Sequence, residues 1–242
     1  MNKLSVITVT FNAVATLERT LRSVREQSWP HIEHLIIDGG SDDGTLELIK
    51  RQQQERLHWV SEPDKGLYDA MNNGAAMATG DYLCFLNAGD TFFAADSVEL
   101  MMGNFDEASA PDILYGETAI VDGAGNFLHM RRLKSPESLG WKSFRQGMVV
   151  CHQAFIVKRE LFEPYDLAYR YSSDFDWSIR MMKKAKTIHN SRLTLINYLN
   201  EGMTTRNRKA SLKERYRIMA HHYGQLSTFA HHLWFIVRAV LK

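Results

Sequence analysis

Along the first hundred residues the hydrophobic period switches back and forth between two and about 3.6, and no other feature constrains the fold as much. LSVITVTFN reads as a strand, and TLERTLRSVREQS as a helix with Leu17, Leu21 and Val24 on one face. HIEHLIIDGG gives a second strand. After the turn SDDGT, LELIKRQQQE is helical, with Thr45 or an Asp before it as N-cap. LHWVSEP is a short third strand, YDAMNNGAAMA a helix ended by Thr79 and Gly80, and DYLCFLNAGD a fourth strand ending in acids. Strands alternating with helices predict a parallel sheet with crossover helices.

Sheets of that kind bind ligands beyond the carboxyl ends of their strands. Here those ends carry Thr10 and Asn12, then Asp38, then Glu62 and Asp64, then Asn87 and Asp90. Between Asp38 and Glu107 there are 14 acids against four bases, so the rim is expected to be acidic. Such a rim repels bare phosphate unless a divalent cation bridges carboxylate and diphosphate.

The second half is less regular. DILYGETAIVDGAGNFL reads as two strands around the turn DGAGN, MVVCHQAFIVKRELF as a strand running into a short helix, SSDFDWSIRMMKKAK as a helix capped by Ser172 or Ser173, and TIHNSRLTLINYL as another strand. With 242 residues, 45% of them hydrophobic, the chain fits one α/β unit over 1–203 followed by a basic, amphipathic helical tail over 204–242. Cys84 and Cys151 each sit in an apolar run and read as unpaired core residues. The N-terminus lacks a cleavage-site pattern, so a cytoplasmic location is expected. A net charge of +1 gives no general attraction to nucleic acid. From Thr204 onward eight Lys or Arg face Glu214 alone, and the closing run LSTFAHHLWFIVRAVLK is shorter than the ~20 residues that span a bilayer. That run reads either as an interfacial helix at the inner face of the membrane or as a helix docked on the body or on a second subunit.

In order and spacing, SVITVTFN, IIDGGSDDGT, SEPDKGLYDAMNNG, GDYLCFLNAGD, CHQAF and YSSDFDWSIR resemble glycosyltransferase family 2, over about residues 3 to 200. The resemblance implies a GT-A fold: a Rossmann-like, mostly parallel central sheet flanked by helices, here with a C-terminal helical appendage. It further implies an inverting transfer from a nucleotide-sugar donor to a saccharide or lipid-linked saccharide acceptor, of the kind that builds bacterial surface polysaccharide. Residues 1–107 would hold the donor and 108–203 the acceptor and the catalytic base.

Carried over residue by residue, the resemblance places Thr10, Asn12, Asp38, Asp64, Lys65 and Asn87 at the donor. Asp38 would read the uracil of a UDP-sugar, although many members have two adjacent acids where this chain has Asp38 and Gly39. Asn87 to Asp90 occupy the Asp-x-Asp-type motif, with Asn and Gly in place of two acids; that makes Asp90 the ligand of Mn²⁺ or Mg²⁺. Asp174 would deprotonate the acceptor hydroxyl. Asp176, two residues on, should point elsewhere on the helix, to a salt bridge or structural hydrogen bond, and with His152 and Trp177 it completes the acceptor-side candidates. Each assignment has a ligand-free counterpart: an Asx turn at Asp38, a solvated loop at Asp64, helix caps at Asp90 and Asp174, and core packing at His152 and Trp177.

Rival functions are less well supported. A sugar nucleotidyltransferase would carry a Gly-rich segment after the first strand, where this chain has TVTFNAVATLERT, and a dehydrogenase would need G-x-G-x-x-G there. A catalytically degenerate partner subunit is the non-enzymatic alternative, suggested by the reduced acids at Asn87 and Gly89. The sugar, the linkage and the oligomeric state are not encoded in any motif of this chain.

Overall fold

The computed structural model describes residues 2–52, 55–103, 105, 109–200 and 207–240. β1 (Leu4–Thr10) and β2 (Ile32–Asp38) are buried along their whole length, as strands covered on both faces must be. Between them α1 (Val14–Arg25) turns Leu17, Leu21 and Val24 inward, the face its sequence predicts. α2 (Thr45–Arg51) leads to β3 (Leu57–Ser61), and α3 (Leu67–Met77) to β4 (Tyr82–Phe85). Gly74 explains how closely α3 lies on the sheet: a Cβ there would stand 2.5 Å from Ile7 Cγ2.

The remainder comprises β5 (Thr91–Phe92), α4 (Ser97–Met102), β6 (Ile113–Val121), β7 (Phe127–Met130), β8 (Phe155–Lys158), α5 (Ser173–Lys184), β9 (Ile188–Leu199), α6 (Arg208–Tyr223) and α7 (Gln225–Val240). Strand order is β3-β2-β1-β4-β8-β6-β9-β5, with β7 paired to β6. The pairs β1–β2, β2–β3, β1–β4 and β6–β9 are parallel; β4–β8, β6–β8, β6–β7 and β5–β9 are antiparallel. The first half thus forms the parallel sheet its alternation predicts, and the second half extends it as a mixed sheet. The chain runs outward from β1 to β3 and then returns to place β4 on the other side of β1. That reversal opens a crevice beyond the ends of β1 and β4.

The tail divides in two. α6 docks on the body: Ile218 and Met219 are buried, Ser211 Oγ pairs with Ser172 Oγ at 2.9 Å, and the Tyr223 ring stacks on Trp141 at 5.5 Å. Ser172 therefore spends its hydroxyl on α6 and does not cap α5, although it occupies the N-cap position. α7 leaves Leu226, Phe229, Leu233, Trp234 and Val237 exposed. No described helix is long and apolar enough to cross a membrane. Residues 204–206 and 241–242 of the expected tail lie outside the described residues.

Candidate active site

A cleft of about 840 Å³ opens at the β1/β4 reversal, within the usual ligand-pocket range of roughly 300–1,000 Å³. One wall comes from the first half of the chain, through Thr10, Gly39, Asp64, Lys65 and Asn87; the facing wall comes from the later half, through Arg131, His152, Gln153, Asp174 and Tyr198. Residues more than 150 positions apart thus meet across one space.

Thr10 Oγ1 and Asn87 Oδ1 are buried in the wall and have no hydrogen-bond partner among the described residues. Leaving a buried polar atom unpaired costs about 1–3 kcal/mol, so two of them at the ends of the adjacent strands β1 and β4 mark the place where a polar ligand would complete the structure.

Asp174 lies in the first turn of α5. Its Oδ1 accepts the Tyr68 hydroxyl at 2.9 Å and its neighbour's amide, Phe175 N, at 2.9 Å. Oδ2 accepts nothing from the described residues. Burial, reinforced by the Asp174 charge, holds the Tyr68 phenol well above its ordinary titration range, so Tyr68 remains a donor to Asp174 at any working pH. The carboxylate is consequently oriented by one oxygen with the other free. Two residues on, about 200° around the helix, Asp176 pairs with Arg180 Nε of its own helix at 2.7 Å and with His222 Nε2 of α6 at 2.7 Å. It does not line the cleft, which withdraws it from the acceptor side and leaves the structural pairing that its position on the helix predicts.

Three further assignments need correction. Asp38 is fully buried and spends both oxygens on the loop that follows it and on the end of β3: Oδ1 accepts Ser41 Oγ, and Oδ2 accepts Gly40 N, Ser41 N and Ser61 Oγ. It forms the Asx-type turn weighed above, and its neighbour Gly39 reaches the cleft in its place. A Cβ on Gly39 would lie 2.7 Å from Asp64 Oδ2, so glycine here is what lets the Asp64 carboxylate occupy the wall. Asn12 also stays out of the cleft. It adopts a φ of +49° and ties the loop after β1 to the loop after β2, accepting Asp42 N at 3.0 Å. Trp177 is completely buried; its ring stacks on Tyr165 at 4.9 Å and its Nε1 donates to Glu163 O at 2.9 Å. It is core, not acceptor surface.

His152 does line the cleft, with Nε2 against Tyr165 Oη at 2.7 Å and its ring stacked on Phe85. Burial lowers its pKa to about 4, so it stays neutral near pH 7.

Asp90 is the largest departure. Its carboxylate is buried away from the cleft, with Oδ1 on Leu199 N at 2.8 Å and Oδ2 on Gln153 Nε2 at 2.9 Å. The preceding Gly89 has φ +100°, a conformation that strains any residue with a side chain, and a Cβ there would also displace Leu199 Cδ2, which stands 2.6 Å from that point. No three acids, histidines or cysteines among the described residues converge as a metal site. A hard cation needs oxygen ligands that face it, and Asp90, the expected ligand, has both oxygens turned to Leu199 and Gln153 and does not fit that role.

Burial raises the Asp90 pKa to about 7. The folded state therefore holds a proton that the unfolded chain has already released between its ordinary value of 3.8 and about 7, and the residue's contribution to stability is lost as pH rises through that window. In Asp90→Asn the fall in melting temperature between pH 4.5 and pH 7.5 is expected to be smaller than in the parent. Parallel melting curves across that range would show that the carboxyl does not titrate there.

Sequence reasoning did not single out Tyr68, Arg131, Arg170, Tyr198 or Arg215, all of which line the cleft. The segment LYDAM was recognised, but the tyrosine inside it carries no spacing signal that separates wall from core, and Arg131, Arg170 and Arg215 lie outside the recognised segments.

A mixed sheet with a ligand crevice at its strand reversal, facing an oriented carboxylate at a helix start, has the architecture of the GT-A fold. The chain belongs to glycosyl transferase family 2, whose model matches residues 5–165. It is 35% identical over 182 residues to a PGL/p-HBAD biosynthesis glycosyltransferase of Mycobacterium bovis, covering 73% of this chain and 68% of that one. To the putative teichuronic acid biosynthesis glycosyltransferase TuaG of Bacillus subtilis it is 28% identical, covering 86% and 84%. Among solved structures, Staphylococcus aureus TarS 1–349 in complex with UDP superposes with a TM-score of 0.68 over 90% of this chain at 17% identity; the chain spans 64% of that one, and the likeness concerns the fold.

Proposed function

We propose that this chain moves a sugar from a UDP-sugar to a hydroxyl of a lipid-linked saccharide, with inversion at the anomeric carbon. The observation that carries the reading is the free Oδ2 of Asp174 facing, across one cleft, the unpaired Thr10 Oγ1 and Asn87 Oδ1 at the ends of β1 and β4. The donor lies against Thr10, Gly39, Asp64, Lys65 and Asn87, and Asp64 takes the base-reading role that Asp38 cannot, since a carboxylate accepts the N3–H of uracil. The acceptor hydroxyl gives its proton to Asp174 Oδ2 as its oxygen bonds to the anomeric carbon. On the opposite face the bond to phosphate oxygen breaks, and the electron pair leaves with the nucleoside diphosphate. Attack and departure on opposite faces give inversion.

A lipid-linked acceptor is supported by the apolar residues that α7 leaves exposed beside the basic tail, a composition suited to an anionic membrane surface. The test is a panel of nucleotide sugars, followed by release of free nucleoside diphosphate, with the same preparation spun down with anionic vesicles. Turnover of one UDP-sugar and co-sedimentation are expected. No release and no calorimetric binding across the panel would favour the degenerate-subunit reading, and a supernatant holding all the protein would remove the membrane contact.

A further inference from the structure

Four cationic side chains line the cleft, Lys65, Arg131, Arg170 and Arg215, against the two carboxylates Asp64 and Asp174. The acidic rim expected from composition is absent because Asp38 and Asp90 turn inward and Glu62 stays outside. None of the four cations forms an ion pair with a described residue. Arg131 is pinned by its guanidinium on backbone carbonyls, Leu133 O at 3.2 Å and Met148 O at 2.5 Å, so its position is fixed while its charge is not neutralised. Arg215 projects from α6 over the Phe175 ring at 5.8 Å, and its Nε is buried with no hydrogen-bond partner among the described residues. The next residue back, Glu214, accepts Arg170 N at 2.9 Å and Tyr171 N at 2.8 Å, so α6 also holds the loop that presents Arg170.

A guanidinium matches phosphate oxygens in pairs and keeps its charge at every working pH. An unpaired, partly buried arginine beside the β1/β4 crevice therefore offers what a bridging cation would supply. We infer that Arg131, Arg170 and Arg215 hold the donor diphosphate and offset the charge of the leaving group in place of a divalent cation. Helix α6 is then part of the active site and not an appendage to it. This inference rests on the nucleotide-sugar reading above.

Calorimetric titration of UDP and of uridine into the full chain, first in EDTA and then with excess Mn²⁺ or Mg²⁺, tests it. UDP is expected to bind in EDTA with a Kd within about threefold of the metal value. Arg215→Ala and Arg170→Ala are each expected to weaken UDP by at least tenfold and uridine by less than twofold, with Arg215→Lys recovering part of the loss. Arg170 is exposed, so its variant remains informative if Arg215→Ala does not fold. UDP binding that appears only on adding metal, or that is unchanged in both alanine variants, overturns the inference while leaving the donor reading intact. Failure of every nucleoside diphosphate to bind under either condition removes the donor reading and this inference with it.

Discussion

Asp174→Asn is expected to bind UDP within about twofold of the parent and to transfer sugar about 10²- to 10⁴-fold more slowly, the usual worth of a general base. The asparagine keeps the shape of the group and an oxygen for the Tyr68 hydroxyl, whose bond at 2.9 Å now orients the carboxylate. What it loses is an acceptor for the proton of the attacking hydroxyl. Binding should persist because the substitution leaves Thr10, Gly39, Asp64 and Asn87 and the cleft arginines Arg131, Arg170 and Arg215 unchanged. Single-turnover transfer and UDP calorimetry on the same variant separate the two effects. Transfer at the parental rate would dismiss Asp174 from the chemistry, and a parallel loss of UDP affinity would make it a structural residue.

Trp177→Ala is expected to lower unfolding free energy by about 3–5 kcal/mol, the range for removing a large buried aromatic. The indole is fully buried among Phe85, His152, Phe155, Phe162 and Tyr165, with ring centroids 4.9 to 6.1 Å away. A cavity there cannot collapse without moving β4, β8 and the segment before α5 together. Trp177 also sits three residues after Asp174, so its packing sets the rotation of α5 that aims one acid at the cleft and the other at α6. Urea unfolding gives the energy; a loss below about 1 kcal/mol would mean the cluster repacks and does not fix the helix.

The donor half was legible because its signals are local. β1, α1, β2 and α3 each follow the hydrophobic period of their own residues, and β1 ends at Thr10, whereas β4 stops at Phe85, two residues before Asn87. Asp174 was legible for the same reason, since its motif includes the helix that presents it. The roles of Asp38 and Asp90 were not, because an acid at a strand end looks the same whether its oxygens face a ligand or backbone amides. For Asp90 the deciding partners are Leu199 and Gln153, 109 and 63 residues away. For Asp38 they are Gly40, Ser41 and Ser61, whose nearness requires β2 and β3 to be paired first.

The sequence alone therefore determined the α/β class, the parallel half of the sheet, the family and the helix-start acid, all of which depend on periodicity and on motifs a few residues long. Only the tertiary structure decided the sign of the cleft's charge. Its acids were counted along the chain, whereas its cations come from β7–β8 loop residue Arg131, the segment holding Arg170 and helix α6 with Arg215, which meet only after the second half folds over the first. Charge summed over a segment says nothing about direction; burial and hydrogen bonding turn some side chains inward and leave others facing the ligand, and those choices are made between residues distant in sequence.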